Sequence, residues 1–217
     1  MSATEFALYT FGPSSAAYRA RIALNLKGLS PEFRSIHLVK DGGAQHTAAY
    51  KQVNPQGLIP TLLHEGHAIG QSLAIIEYLD EKFPEPPLLP PDPYGRARVR
   101  QLAYMVACDI HPINNLRVRQ YLTATLKADQ AQSEAWYAHW ITLGFAAMEA
   151  MVSGAAETGK FLHGDAPTLA DICLVPQMAN ARRFKVPVDA FPALVRIDES
   201  ARALPAFAKA APENQQD

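Results

Sequence analysis

The sequence predicts a protein in two parts, an α/β domain followed by an all-α helical bundle. Three observations lead there. Before residue 84, short apolar segments alternate with segments of helical periodicity, whereas after residue 93 apolar residues recur only at helical spacing. Between them, Pro84, Pro86, Pro87, Pro90, Pro91 and Pro93, six of the chain's 17 prolines, fall within ten residues. Proline donates to neither a helix nor a sheet ladder, so this stretch reads as a stiff extended connector. The expected boundaries are 1–83, a linker at 84–93, and 94–217.

In the first part, Phe6 to Thr10 is a candidate strand. Ser14 to Lys27 reads as a helix, stopped by Gly28, with Ala20, Ile22, Ala23, Leu24 and Leu26 as its apolar positions. Phe33 to Val39 is a second strand, and a short helix follows. Ile59–Leu63 and His67–Ile69 flank the turn signal Glu65-Gly66 and form a hairpin. Ser72 to Phe83 is a helix, giving the order βαβαββα. A strand, crossover helix and strand imply parallel pairing, with the hairpin as an antiparallel edge. In the second part, Tyr94–Lys127 is helical with a break at Pro112. Gln132–Val152, Leu169–Phe184 and Ala190–Ala203 complete a bundle of four or five helices.

Composition narrows the function. The 217 residues are 48% hydrophobic and 19% charged, which excludes intrinsic disorder. Twenty Lys and Arg against 21 Asp and Glu give a charge of −1, which argues against nucleic-acid or anionic-membrane binding. No run approaches the roughly 18 apolar residues of a transmembrane helix. Met1–Glu5 lacks the basic and apolar regions of a signal peptide, so a cytoplasmic location is expected. Two cysteines, Cys108 and Cys173, make no disulfide framework. Cys108, His111 and His139 match no common zinc spacing, so no metal is expected.

Six segments could carry chemistry. Gly12 to Ala17 joins the first strand to the first helix, where backbone N–H groups and the helix dipole favour an anion. Ser14 or Ser15 could donate to it, or simply cap the helix. Asn54-Pro55-Gln56-Gly57-Leu58-Ile59-Pro60 leads into the third strand, and Gly70-Gln71-Ser72 opens another helix. Cys108 to Asn115 sets His111 and Asn115 beside a proline. Thr168 to Asp171 is a capping box, mainly structural, and Arg182-Arg183 ends that helix. There the arginines complement the dipole or grip a carboxylate with a bidentate fork.

Taken together and in this order, the segments resemble the zeta class of glutathione transferases over nearly the whole chain. The telling stretches are Ser14-Ser15 with Arg19 to Leu24, Asn54-Pro55 with Ile59 to Leu62, Gln71 to Leu79, and Leu174 to Phe184. The last two are specific to the class. The resemblance implies a thioredoxin-like first domain, a helical second domain, a homodimer, and glutathione as a cofactor that is returned. It also implies an activity like that of maleylacetoacetate or maleylpyruvate isomerase, in the catabolism of aromatic amino acids or aromatic compounds.

Matched by position, Ser14 donates to the glutathione thiolate with Ser15 beside it. Gln71 and Ser72 hold the γ-glutamyl end, Ile59 pairs its backbone with the cysteinyl part, and Pro60 is cis. Gln45, His111 and Asn115 are matching pocket positions, and Arg183 matches a carboxylate-binding arginine. Thiolate addition turns a rigid cis double bond into a single bond, which rotates before elimination gives the trans isomer. Two positions depart from the class. Ala16 stands where a cysteine is common and Pro13 where an arginine is common. The attacking sulfur arrives with glutathione, and Arg117 or Arg119 stands in for the arginine. The active site is expected across the linker. Two rivals remain: a transferase or dehalogenase conjugating small α-halo acids, and a non-catalytic glutathione-binding protein.

Overall fold

The computed structural model describes residues 5–215, so Met1–Thr4, read above for a signal peptide, lies outside them. The chain divides into two compact units. One runs to Pro87 and takes in the segment from Leu204 onward; the other is Leu88–Ala203.

The first unit is built on a four-stranded sheet of order β2-β1-β3-β4. Strand β1 (Phe6–Thr10) leads into α1 (Ser15–Leu26), whose end is marked by Gly28 in the left-handed region at φ +68°. That crossover helix makes β2 (Glu32–Ser35) parallel to β1, as expected. Strand β2 is shorter than the sequence suggested. Its last ladder bond runs from Ile36 N to Thr10 O, and the chain beyond enters two single 3-10 turns. A short helix, α2 (Ala48–Val53), precedes the hairpin of β3 (Thr61–His64) and β4 (His67–Gly70), with β3 antiparallel to β1. Helix α3 (Ser72–Lys82) closes the unit's first pass and packs against α1. Leu8, Ala20, Leu24, Leu62, Ile75 and Leu79 fill the space between sheet and helices without exposure.

The regular structure of the second unit's described residues is all helical. The linker reading is corrected at its end. Pro93 is the first residue of α4 (Pro93–Tyr104), where a missing N–H costs nothing, and Asp92 caps it by accepting from Gly95 N at 2.8 Å. The expected break at Pro112 also moves. The chain widens into a π-helical turn, Met105–Ile110, and passes through Pro112 in the short α5 (His111–Ile113). Proline removes the N–H that would bond the carbonyl of residue 108, and the wider turn accommodates this. The break falls at Asn114, after which Asn115 caps α6 (Leu116–Ala124). Gly144 lets the π turn approach the long α7 (Gln130–Val152), because a Cβ there would collide with the side chain of Ile110. Helix α8 (Leu169–Arg183) is buried from Leu169 to Met178 and packs on α4 and on α9 (Pro192–Arg202).

The last helix, α10 (Pro205–Ala210), corrects the expected C-terminal boundary. It packs on α1 in the first unit, and its backbone is held by α1 side chains. Tyr18 Oη donates to Phe207 O at 3.3 Å, Arg21 Nε to Ala210 O at 3.0 Å and Asn25 Nδ2 to Ala206 O at 2.9 Å. These three side chains sit at i, i+3 and i+7, one face of the helix. Among the described residues no helix is long and apolar enough to cross a membrane.

Candidate functional site

In the first unit, Ser14 is the N-cap of α1. Its Oγ accepts from Ala17 N at 3.2 Å, and its own N–H donates to Phe11 O at 3.0 Å. Capping uses a lone pair and leaves the hydroxyl proton available to an acceptor outside the helix. Ser15, the first helical residue, is buried. The turn therefore carries a hydroxyl and the positive end of a twelve-residue helix together.

Phe11 and Ala17, on either side of that turn, share an apolar cluster with Tyr50 and Ile59, edged by Tyr9, Ile36 and Leu38. The cluster ties the Ser14 turn to two other predicted positions. The Ile59–Pro60 bond is cis and stands at the head of β3. Gln45 is 6% exposed, and its Nε2 donates to Leu38 O at 3.1 Å. Its Oε1 is buried and has no hydrogen-bond partner among the described residues.

The loop before Ile59 is pinned from below. Asn54 Nδ2 donates to Leu58 O and to Thr61 Oγ1, both at 2.9 Å, while Asn54 Oδ1 accepts from Gln56 N at 3.0 Å. Tyr50 Oη adds a 2.7 Å bond to Leu58 O. Gln71 precedes α3 with φ +65°, a left-handed backbone that an ordinary side chain seldom adopts. Its Nε2 donates to Gln56 Oε1 at 2.9 Å. Ser72 is buried, and its Oγ accepts from Arg19 Nη1 at 3.0 Å, joining α1 to the start of α3. Ser72 is thus a structural acceptor as well as a predicted ligand, and the N-cap is Gln71.

The second unit gathers a separate set. Asn115 Nδ2 lies 3.4 Å from His111 Nε2, and Asn115 Oδ1 accepts from Arg117 N at 3.2 Å. Arg117 is exposed at the start of α6. Two residues further along α6, Arg119 lays its guanidinium 4.4 Å from the Phe184 ring centre and 5.3 Å from that of Tyr137. Arg183 lies 5.5 Å from the same Phe184 ring. Burial pushes the Tyr137 hydroxyl well above its usual range, with the charges of Arg119 and Arg183 pulling the other way. Arg182, by contrast, is paired with the buried Asp198 at 2.6 Å. Of two adjacent arginines, one pairs with a buried carboxylate and the other lies by the Phe184 ring. Among the described residues no group of three metal-ligating side chains forms.

Family models for the glutathione S-transferase N-terminal domain and C-terminal domain match residues 8–87 and 134–208. The probable maleylacetoacetate isomerase of Vibrio cholerae is 50% identical, covering 97% of both chains. The chain belongs to the glutathione S-transferase family. Within that family it is of the zeta class. A holo structure of maleylpyruvate isomerase, described as a bacterial zeta-class transferase, matches with TM-score 0.94 at 46% identity over 97% of this chain and 99% of that one. The maleylacetoacetate isomerase of Methylobacterium extorquens, solved with malonate and glutathione, matches with TM-score 0.93 at 38% identity, covering 97% and 98%.

Against that family background, sequence reasoning missed the support around the named residues. Tyr50 stands in no motif, and Asn54 and Thr61 stand in telling stretches without a role of their own, yet the three fix the loop that carries Ile59. Tyr137 carries no sequence signal and Phe184 only closes the Leu174–Phe184 stretch; their arginine neighbours mark them out.

Proposed function

We propose that the chain is a glutathione-dependent cis–trans isomerase of a small dioxo acid, converting maleylacetoacetate or maleylpyruvate to its fumaryl isomer. The carrying observation is 50% identity along nearly the whole chain to a probable maleylacetoacetate isomerase. The first unit has the donor set that glutathione needs. The orphaned Gln45 Oε1 is an acceptor for a peptide N–H, and an unsatisfied buried carbonyl is costly unless such a donor arrives. Ile59 offers backbone groups before a cis proline, and Gln71 with Ser72 stands at the N-terminus of α3, suited to the γ-glutamyl carboxylate.

Glutathione, when bound, supplies the nucleophilic sulfur that adds to the substrate's double bond and leaves unchanged. The chain's own residues set the conditions for this. Ser14 points a hydroxyl donor and the α1 N-terminus at the thiol, which favours its ionised form. Ser15 contributes from the first helical turn. In the second unit, Arg183 and Arg117 bind the acid's carboxylates. Arg119 joins them, because its aromatic platform fixes the plane of the guanidinium. His111 and Asn115 border that region as polar partners. The homodimer expected from the class and the cytoplasmic location expected from the sequence belong to the same reading; sedimentation of the purified protein tests the first and cell fractionation the second.

The direct test incubates the protein with maleylacetoacetate or maleylpyruvate, with and without glutathione, and follows the enol absorbance. Conversion that requires glutathione but does not consume it is the expected result. Stoichiometric consumption would make the chain a conjugating transferase instead, and absence of any conversion would sink the isomerase reading.

A further inference from the structure

One buried side chain links the Ser14 turn to the end of the chain. Arg21 is 1% exposed. Its Nη1 donates to Thr10 Oγ1 at 2.9 Å and to Phe11 O at 3.2 Å, and its Nη2 donates to Gly12 O at 3.0 Å. Its Nε donates to Ala210 O at 3.0 Å. The planar fork thus grips three consecutive residues at the end of β1, immediately before the turn, and anchors them to α10. Side chains on a helix lean toward its N-terminus, which is why a residue in the second turn of α1 reaches back to the segment entering it.

The carbonyl of Phe11 is shared. It accepts from Arg21 Nη1 and, at 3.0 Å, from the N–H of Ser14. The peptide plane that orients Ser14 is therefore fixed by Arg21 on one side and by the turn on the other. We propose that Arg21 is a positioning residue for the isomerase reaction. By holding the carbonyls of Phe11 and Gly12 against α10, it sets where the Ser14 hydroxyl and the first N–H groups of α1 point. The demand is geometric, not merely ionic. Lysine carries the same charge but cannot satisfy four acceptors in one plane. This inference rests on Ser14 acting at the glutathione thiol.

The experiment measures, in Arg21→Lys, Thr10→Val and Ser14→Ala, the ultraviolet pH titration of the thiol in the glutathione complex, with kcat and KM. Arg21→Lys is expected to raise the titration midpoint by about one unit, tenfold in thiolate fraction, and to lower kcat about tenfold. The KM for the acid should change by less than about threefold, because the interaction lost acts at the chemical step. Thr10→Val, which removes a single bond of the fork, should shift the midpoint in the same direction by a smaller amount. If Arg21→Lys does not fold, Thr10→Val decides alone: a raised midpoint supports the proposal and a wild-type midpoint overturns it. A folded Arg21→Lys with wild-type midpoint and kcat also overturns it, provided Ser14→Ala does shift the midpoint. A flat result in Ser14→Ala itself instead removes Ser14 from the thiol, and with it the ground on which the Arg21 proposal stands.

Discussion

The carboxylate of Asp171 takes two hydrogen bonds from one residue, Thr168: from its N–H at 2.8 Å and from its hydroxyl at 2.9 Å, both on Oδ2. Its other oxygen accepts from Leu162 N at 2.8 Å, so one fully buried side chain starts α8 and ties down the loop before it. Burial pushes the Asp171 carboxyl up from 3.8 to about 6, although these hydrogen bonds pull it down. Between those values the folded state holds more protons than the unfolded state. The stability attached to this titration is fully present below 3.8 and is lost as pH rises through about 6. The loss amounts to about 3 kcal/mol. Asp171→Asn does not titrate, so its disadvantage relative to wild type should shrink from about pH 4.5 to about pH 7.5 in denaturant unfolding. A gap that stays constant across that range would contradict the assignment.

Ser14→Ala should lose on two separate counts. Removing the cap for Ala17 N costs about 1 kcal/mol of stability, read as a lower denaturation midpoint. Removing the donor at the reacting sulfur lowers kcat by about 10²-fold, the scale of one electrostatic donor. Wild-type turnover in a protein that shows only the stability loss would leave Ser14 as a cap.

Arg119→Met keeps the stacking volume over Tyr137 and Phe184 and removes the charge. Its KM for the acid should rise about tenfold at saturating glutathione, the loss of one charge-assisted bond. Arg117→Met, at an exposed position, should show a smaller rise. Steady-state kinetics with the acid varied checks both, and an unchanged KM in Arg119→Met removes Arg119 from the substrate site.

Asn54→Ala strips the bonds to Leu58 O and Thr61 Oγ1 from a residue only 6% exposed. A loss of about 2–3 kcal/mol is expected, since the polar atoms left behind are buried. Calorimetric titration should also show weaker glutathione binding, because the loop carrying Ile59 is no longer pinned. Wild-type affinity in the folded variant would separate this network from the site.

Much of the first unit was legible because its signals are local. The apolar run Phe6–Thr10, the glycine at 28 and the Glu65-Gly66 turn each specify their own conformation, and each element forms where they point. The Ser14 turn and the Gln71-Ser72 helix start could be located the same way. The placement of α10 could not. Its six residues are apolar enough for either unit, and its partners on α1 lie as far as 189 positions away. The π turn was equally hidden, since Pro112 announces a disturbance but not how the preceding turn absorbs it. Arg119 reaches the Phe184 ring, which already has Arg183 beside it in the chain, only through tertiary packing, which no spacing rule encodes.

The return of α10 to α1 also bears on the order in which the molecule is made. The helical unit is an insertion within the first one, entered after Pro87 and left before Leu204. Arg21 emerges from the ribosome 189 positions ahead of the carbonyl that receives its Nε. At bacterial and eukaryotic elongation speeds, that is a wait of about ten to forty seconds. The sheet can assemble during synthesis, but the buried Arg21 guanidinium on α1 stays incompletely bonded until α10 (Pro205–Ala210) arrives. A nascent chain stalled before Leu204 should therefore expose the α1 face to chaperones, and synthesis of α10 should end that exposure.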